Sequence, residues 1–296
     1  MWVLGALVSA FLLGVYDVFK KLSIDKNAVL PVLFYSTLTS FILFIPVIFS
    51  SQFAPDSHHG IFYVAPQTLV AHIHFFIKSV IVAISWVLAY FSTKYLPMTI
   101  ISPIRSSGPV WTLLGAIIIF GETMTSIQWA GLLTTIVFYY IFSLYGKKEG
   151  ISFRTNKWVF YLTLSTIINS ISGLYDKYLI AHYDRLAIQC WFSIYMLPIT
   201  AALMFLVWYP NRKNTPFQWR YTIILIGLTL TLADFIYFWA ISQQGSLISI
   251  ISTVRRGSVI VSFTVGAIIF REQNIKIKAL ILAGILAGIG LIIWGS

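Results

Sequence analysis

Long apolar runs, each closed by a short polar break, repeat along the whole chain. A helix that crosses a bilayer needs about 20 mostly apolar residues. Ten runs come near that length: 2–20, 28–50, 67–92, 97–120, 126–146, 157–179, 187–209, 219–242, 246–270 and 275–294. The longest breaks fall near 51–66, 147–156 and 210–218, too short for a soluble domain, so neighbouring helices must run antiparallel. The pattern predicts an all-α integral membrane protein with ten transmembrane helices.

Composition supports that class. Of the 296 residues, 58% are hydrophobic and 10% charged, against roughly 25% charged in an average soluble domain. Mean hydropathy is +0.86. The first run has no basic segment ahead of it and no clear cleavage site, so it reads as a retained helix and not as a signal peptide. No Gly-rich phosphate-binding motif is present to couple the chain to ATP. Cys190, the single cysteine, has no partner for an internal disulfide and reads as a small packing residue.

The net charge of +11 would suit a nucleic-acid binder, but its placement argues for topology instead. One set of breaks and helix ends carries Lys20, Lys21, Lys26, Lys94, Lys147, Lys148, Arg154, Lys157, Arg212, Lys213, Arg220, Arg271, Lys276 and Lys278; the other carries Lys177 and Arg185. Basic residues concentrate on the cytoplasmic side of membrane proteins. The expectation is a multi-pass protein of the inner or plasma membrane, with both termini outside and Trp2 and Trp294 in the outer interfacial belt.

The chain also repeats itself. IISPIRSSGPVWTLLGAIIIFGE (100–122) aligns with IISTVRRGSVIVSFTVGAIIFRE (250–272) at a constant offset of 150. Ser102 meets Ser252, Arg105 meets Arg255, Thr112 meets Ser262, Phe120 meets Phe270 and Glu122 meets Glu272. GVYD (14–17) echoes GLYD (173–176). The unit is five helices, an odd number, so the second copy enters the membrane from the opposite side. This predicts two inverted five-helix repeats, 1–150 and 151–296, with a binding site near the midplane where they meet.

Two five-helix halves, each closing its fourth helix on an apolar run and a terminal Glu (IIIFGE, AIIFRE), resemble the drug/metabolite transporter superfamily, in particular its EamA-type members. The resemblance spans essentially the whole chain. It implies a central cavity lined by helices 1, 3, 4, 6, 8 and 9 and opened alternately to each side, with helices 5 and 10 packed outside it. Where many relatives resemble SSLEPV this chain has RSSGPV, so Gly108 replaces a common acidic residue and no cation role carries over to it. The Arg255-Arg256 pair loosely resembles the basic pair in the ninth helix of sugar-phosphate translocators of the same superfamily.

Arg105, Arg255 and Arg256 lie inside apolar runs, where a central Arg costs about 2.5–3.5 kcal/mol. At about 100° per residue, Ser252, Arg255, Ser258 and Ser262 share one stripe of the ninth helix, and Ser102, Arg105 and Thr112 share the matching stripe of the fourth. Facing each other, the stripes would make a polar cleft whose guanidinium groups suit a carboxylate or phosphate. The alternative is that these arginines pair with Asp17, Asp176 or Asp234, or snorkel to an interface. Asp234 could also hold a coupling proton, Asp17 and Asp176 could be gate latches or plain helix-end charges, and Lys78 could be a cavity cation or could snorkel. Tyr16, Trp86, Tyr90, Tyr175, Tyr237 and Trp239 are candidate cavity walls.

His58, His59, His72 and His74 flank the second outer break without a carboxylate or cysteine to complete a metal site, so neither metal nor cofactor is expected. Gly284 and Gly288, four apart in the last run, allow close helix approach, either to helix 5 or to a second protomer in a homodimer. The expected partners are membrane lipids and a small-molecule substrate, with no nucleic acid. The leading reading is a secondary transporter of a small anionic or zwitterionic metabolite working by alternating access. An amino-acid or drug exporter of the same superfamily is the nearest alternative. A lipid-modifying membrane enzyme lacks a convincing set of catalytic groups here and leaves the repeat unexplained; a channel, with turnover independent of alternating access, or a receptor, binding without flux, is a third possibility.

Overall fold

The computed structural model describes residues 2–53, 63–120, 125–148, 151, 153–242, 255, 257–272 and 274–295. Among these residues every regular element is helical: α1 (Trp2–Ile24), α2 (Val29–Phe53), α3 (Leu69–Tyr95), α4 (Met98–Ser106), α5 (Gly108–Phe120), α6 (Ser126–Lys148), α7 (Lys157–His182), α8 (Arg185–Leu203), α9 (Thr222–Ser242), α10 (Ser258–Ile269) and α11 (Ile275–Trp294). A π turn (Met204–Trp208) and a 3-10 turn (Tyr209–Asn211) extend α8.

Five of these stretches are long and apolar enough to cross a membrane: Val29–Ser51, Leu69–Tyr95, Ser126–Tyr145, Arg185–Asn211 and Ile275–Trp294. Helices α1 and α7 are just as long but more polar. Asp17, Lys20 and Lys21 crowd the last turns of α1, and α7 carries Thr163, Ser165, Thr166, Asn169, Ser170 and Ser172. Most of these groups meet protein. Asp17, Lys20, Lys21, Ser165, Thr166, Ser170 and Ser172 are all buried. The chain is therefore a multi-pass α-helical membrane protein.

The fourth predicted span is broken. Helices α4 and α5 part at Ser107, where the Ser107 amide bonds the Ile104 carbonyl and the Val110 amide bonds the Ser107 carbonyl. Pro109 has no amide hydrogen to return to Arg105, so the ladder cannot continue as a regular α-helix. Of the ninth span, Arg255 and α10 are described; residues 243–254 and 256 lie outside the described residues.

Helix α1 packs along α9 and α10; α3 packs along α7 and α8; α5 lies on α7, α4 on α10, and α2 on both α8 and α9. The pair α6 and α11 is as closely packed as any. A Cβ added at Gly131 would meet the Ile292 amide at 2.7 Å, and one at Gly288 the Gly131 carbonyl at 2.8 Å. Gly284 faces the Phe138 ring. The small-residue stripe of α11 is thus used within the chain, on the fifth predicted helix.

One end of the bundle, here termed the basic face, is sewn together by the residues that the charge pattern singled out. The Lys21 ammonium donates to the carbonyls of Thr93 at 2.6 Å and Leu96 at 2.7 Å. Lys94 donates to the Asn27 carbonyl at 2.8 Å, and Arg220 donates to that of Leu22. Glu272 accepts from the first amides of α4, Met98 at 2.6 Å and Thr99 at 2.9 Å, and from the Thr99 hydroxyl. Lys278, 2% exposed, donates to the same hydroxyl. Helix ends leave carbonyls and amides without intrahelical partners, and charged side chains of the complementary sign satisfy them here. These contacts put the end of α1 and the start of α11 at one face, so Trp2 and Trp294 lie at the opposite, terminal face.

Candidate functional site

A narrow cleft with about 30 Å³ of free space opens between α2, α3, α8 and α9. Thr37 and Ser40 come from α2, Trp86 from α3, Gln189 and Ser193 from α8, and Thr231 and Asp234 from α9. Phe44, Phe192, Met196 and Leu230 make its apolar wall. Residues 189, 193 and 196 recur at helical spacing, as do 227, 230, 231 and 234, so one face of each helix is turned inward. Trp86 and Phe192 stand edge to face at 5.9 Å. A smaller extension shares Thr37, Ser40, Trp86 and Leu230 and reaches Tyr90 and Gly227.

Charged groups guard both ends. Toward the basic face, Asp17 accepts from Lys20 at 2.7 Å and from Arg105. Asp17 and Lys20 are buried. The Lys20 ammonium lies 4.7 Å from the Tyr16 ring and 5.4 Å from the Tyr90 ring, a cation–π arrangement that partly replaces its lost hydration. Toward the terminal face, Lys78 pairs with Asp176 and Arg255 with Asp234. The Arg255 guanidinium sits 4.1 Å from the Tyr237 ring, while its Nε is buried with no hydrogen-bond partner among the described residues.

The predicted stripes are only partly brought together. Ser102 and Ser262 share a hydrogen bond at 3.1 Å and tie α4 to α10. The Thr112 hydroxyl donates to the Gly108 carbonyl at 3.2 Å. Ser258 opens α10, its backbone carbonyl against Gly14. Arg105 and Arg255 take separate carboxylates, Asp17 and Asp234, as the ion-pair alternative anticipates. Ser252, Arg256 and Glu122 lie outside the described residues, as do His58 and His59. His72 shares a hydrogen bond with the Tyr195 hydroxyl at 3.0 Å and His74 with that of Tyr175 at 2.5 Å. Cys190 is a buried free thiol. Of the candidate walls, Trp86 and Tyr90 line the cleft, Tyr16 and Tyr237 serve cations, Tyr175 serves His74, and Trp239 packs on Gly5.

The cleft itself was not anticipated in this position. The resemblance implied helices 1, 3, 4, 6, 8 and 9, whereas this cleft lies among predicted helices 2, 3, 7 and 8. Around the first, fourth and ninth helices the space is filled by the Asp17 ion cluster and the Ser102–Ser262 contact. Thr37, Ser40, Gln189, Ser193 and Thr231 escaped the sequence reading. Hydroxyls in apolar helices mostly bond their own backbone, so lone ones carry little signal. Gln189 and Ser193, four apart in an otherwise apolar run, were the available clue.

Residues 1–144 match the EamA-like transporter family. The match places the first half of the chain with the drug/metabolite transporter superfamily, to which that family belongs. Members of that family are transporters. One solved crystal structure, described only as that of a protein, covers 98% of this chain and 96% of its own at a TM-score of 0.63 and 16% identity. At that identity the likeness is one of fold. No curated protein matches in sequence. The cleft is walled by hydroxyls, an amide and one carboxylate.

Proposed function

We propose that this EamA-like protein is a secondary transporter of a small zwitterionic metabolite, carried by alternating access between two inverted five-helix repeats, 1–150 and 151–296. The observation that carries the substrate class is Asp234, which lines the cleft while held by Arg255, whose buried Nε is a spare donor. A ligand with an ammonium and a carboxylate can exchange partners with this pair, ammonium to Asp234 and carboxylate to Arg255. Each charge then stays compensated, which matters in a medium of low dielectric. A purely anionic ligand would gain Arg255 but strand Asp234.

The packing supports the repeat reading. If helices one to five correspond to six to ten, α1 on α9 has its counterpart in α3 on α7. Likewise α1 on α10 matches α5 on α7, and α2 on α9 matches α3 on α8. Charge placement supports a cytoplasmic basic face.

Counterflow in proteoliposomes tests the function. Vesicles preloaded with unlabelled neutral amino acids should accumulate the labelled compound, and Asp234→Asn should lower the rate at least about tenfold, the scale of one lost charged contact. Counterflow of organic anions alone, undiminished by Asp234→Asn, would overturn the zwitterion reading and leave the anion reading in its place.

A further inference from the structure

The cleft holds more polar surface than a bare amino and carboxyl group would use. Gln189, Ser193 and Thr231 line it and are 8%, 6% and 9% exposed. Among the described residues, none of their side chains has a hydrogen-bond partner. Their neighbours differ in this respect. Thr37 bonds the Phe34 carbonyl and the Thr200 hydroxyl, and Ser40 bonds the carbonyls of Ser36 and Gly227. Their polar atoms reach the open space of the cleft, so whatever enters it, water or cargo, supplies their bonds.

We infer that Gln189, Ser193 and Thr231 form a recognition subsite for a neutral hydrogen-bonding group on the substrate, a carboxamide or hydroxyl. This inference rests on the zwitterion reading of the same cleft. The chemistry follows from the donor and acceptor inventory. An amide and two hydroxyls can each donate and accept, and the complement of such a set is a group that does both. A carboxylate in this place would face Asp234 in the same wall, whereas a carboxamide or hydroxyl meets no like charge. The adjoining surface of Trp86, Phe192, Met196 and Leu230 suits the methylene stem between that group and the charged end.

A site built to hydrogen-bond a polar group rejects the analogue that lacks it far more strongly than an apolar pocket rejects an extra methylene, because its own groups are left unpaired. The preferred cargo is therefore a polar, uncharged amino-acid-like zwitterion, and its apolar isostere is discriminated against.

Thermal stabilisation of the purified, detergent-solubilised protein by matched pairs tests this: L-glutamine against L-methionine, and L-threonine against L-valine. Ligands that bind the folded state alone raise its unfolding temperature. The polar member of at least one pair should bind about tenfold or more tightly than its partner. Gln189→Leu and the near-isosteric Thr231→Val should each shrink that preference, while binding of the apolar member persists. Equal binding of both members by the parent protein, or an unchanged preference in both variants, overturns the subsite and leaves the zwitterion reading standing. If no zwitterion stabilises the parent while organic anions do, the zwitterion reading itself fails, and the subsite with it. Retained binding of the apolar member shows that a variant is folded.

Discussion

Asp17 answers two cations, Lys20 and Arg105, and this arithmetic makes it a critical carboxylate. Replacing it by Asn leaves two positive charges beside each other with no counter-ion. Breaking a buried pair by removing one partner costs about 3–5 kcal/mol, and the partly exposed Arg105 side chain places the expectation near the lower figure. Asp17→Asn should therefore unfold at a temperature several degrees below the parent in a detergent melting assay. Adding Lys20→Met should recover part of the loss; a melting temperature equal to the parent's in the single variant would mean the pair is not structurally needed. At this scale the sequence was informative about which groups are charged inside the membrane and uninformative about their partners. Arg105 and Asp17 are 88 positions apart, and helical spacing relates only residues on one helix. Gln189 and Thr231 were missed for the same reason, since each is unremarkable until the other helices close around it.

Among the elements, most of the described helices were legible to within a few residues, because a span is written in local hydropathy. The expected last run, 275–294, coincides with α11, and 28–50 falls within two or three residues of α2. What hydropathy did not show was the interruption at Ser107, which follows from the missing amide of Pro109 and not from polarity. The partner of the Gly284/Gly288 stripe was equally hidden, since small residues permit a close approach without naming what approaches. With α6 seated there, Gly288→Leu should overpack the seam at a cost of about 1–3 kcal/mol and lower the melting temperature. Gly290→Leu serves as the control on the same helix, because an added Cβ there meets nothing within 4 Å. Equal stability of the two variants would argue that α6 and α11 are not locked together as described.

For the whole molecule, the basic residues have a second use beyond orientation. Lys21, Lys94 and Arg220 are bound to backbone carbonyls of helices and of the turn after α1, so the charges that favour a cytoplasmic position also tie that face together. Under the orientation proposed here, an epitope tag at either terminus should label in intact cells without permeabilisation. Labelling that requires permeabilisation would invert the topology while leaving the fold untouched.

The capping of α4 by Glu272 sets an order of events during synthesis. The carboxylate lies more than 170 positions downstream of the amides it covers. The first half of the chain thus leaves the ribosome and enters the bilayer with the start of α4 still facing water at the membrane edge. That end is completed only when the penultimate helix has been made and has come to rest beside it. An insertion intermediate lacking the last 30 or so residues would keep an unfinished helix end in its first half, a feature that quality-control factors reading exposed polar backbone could recognise.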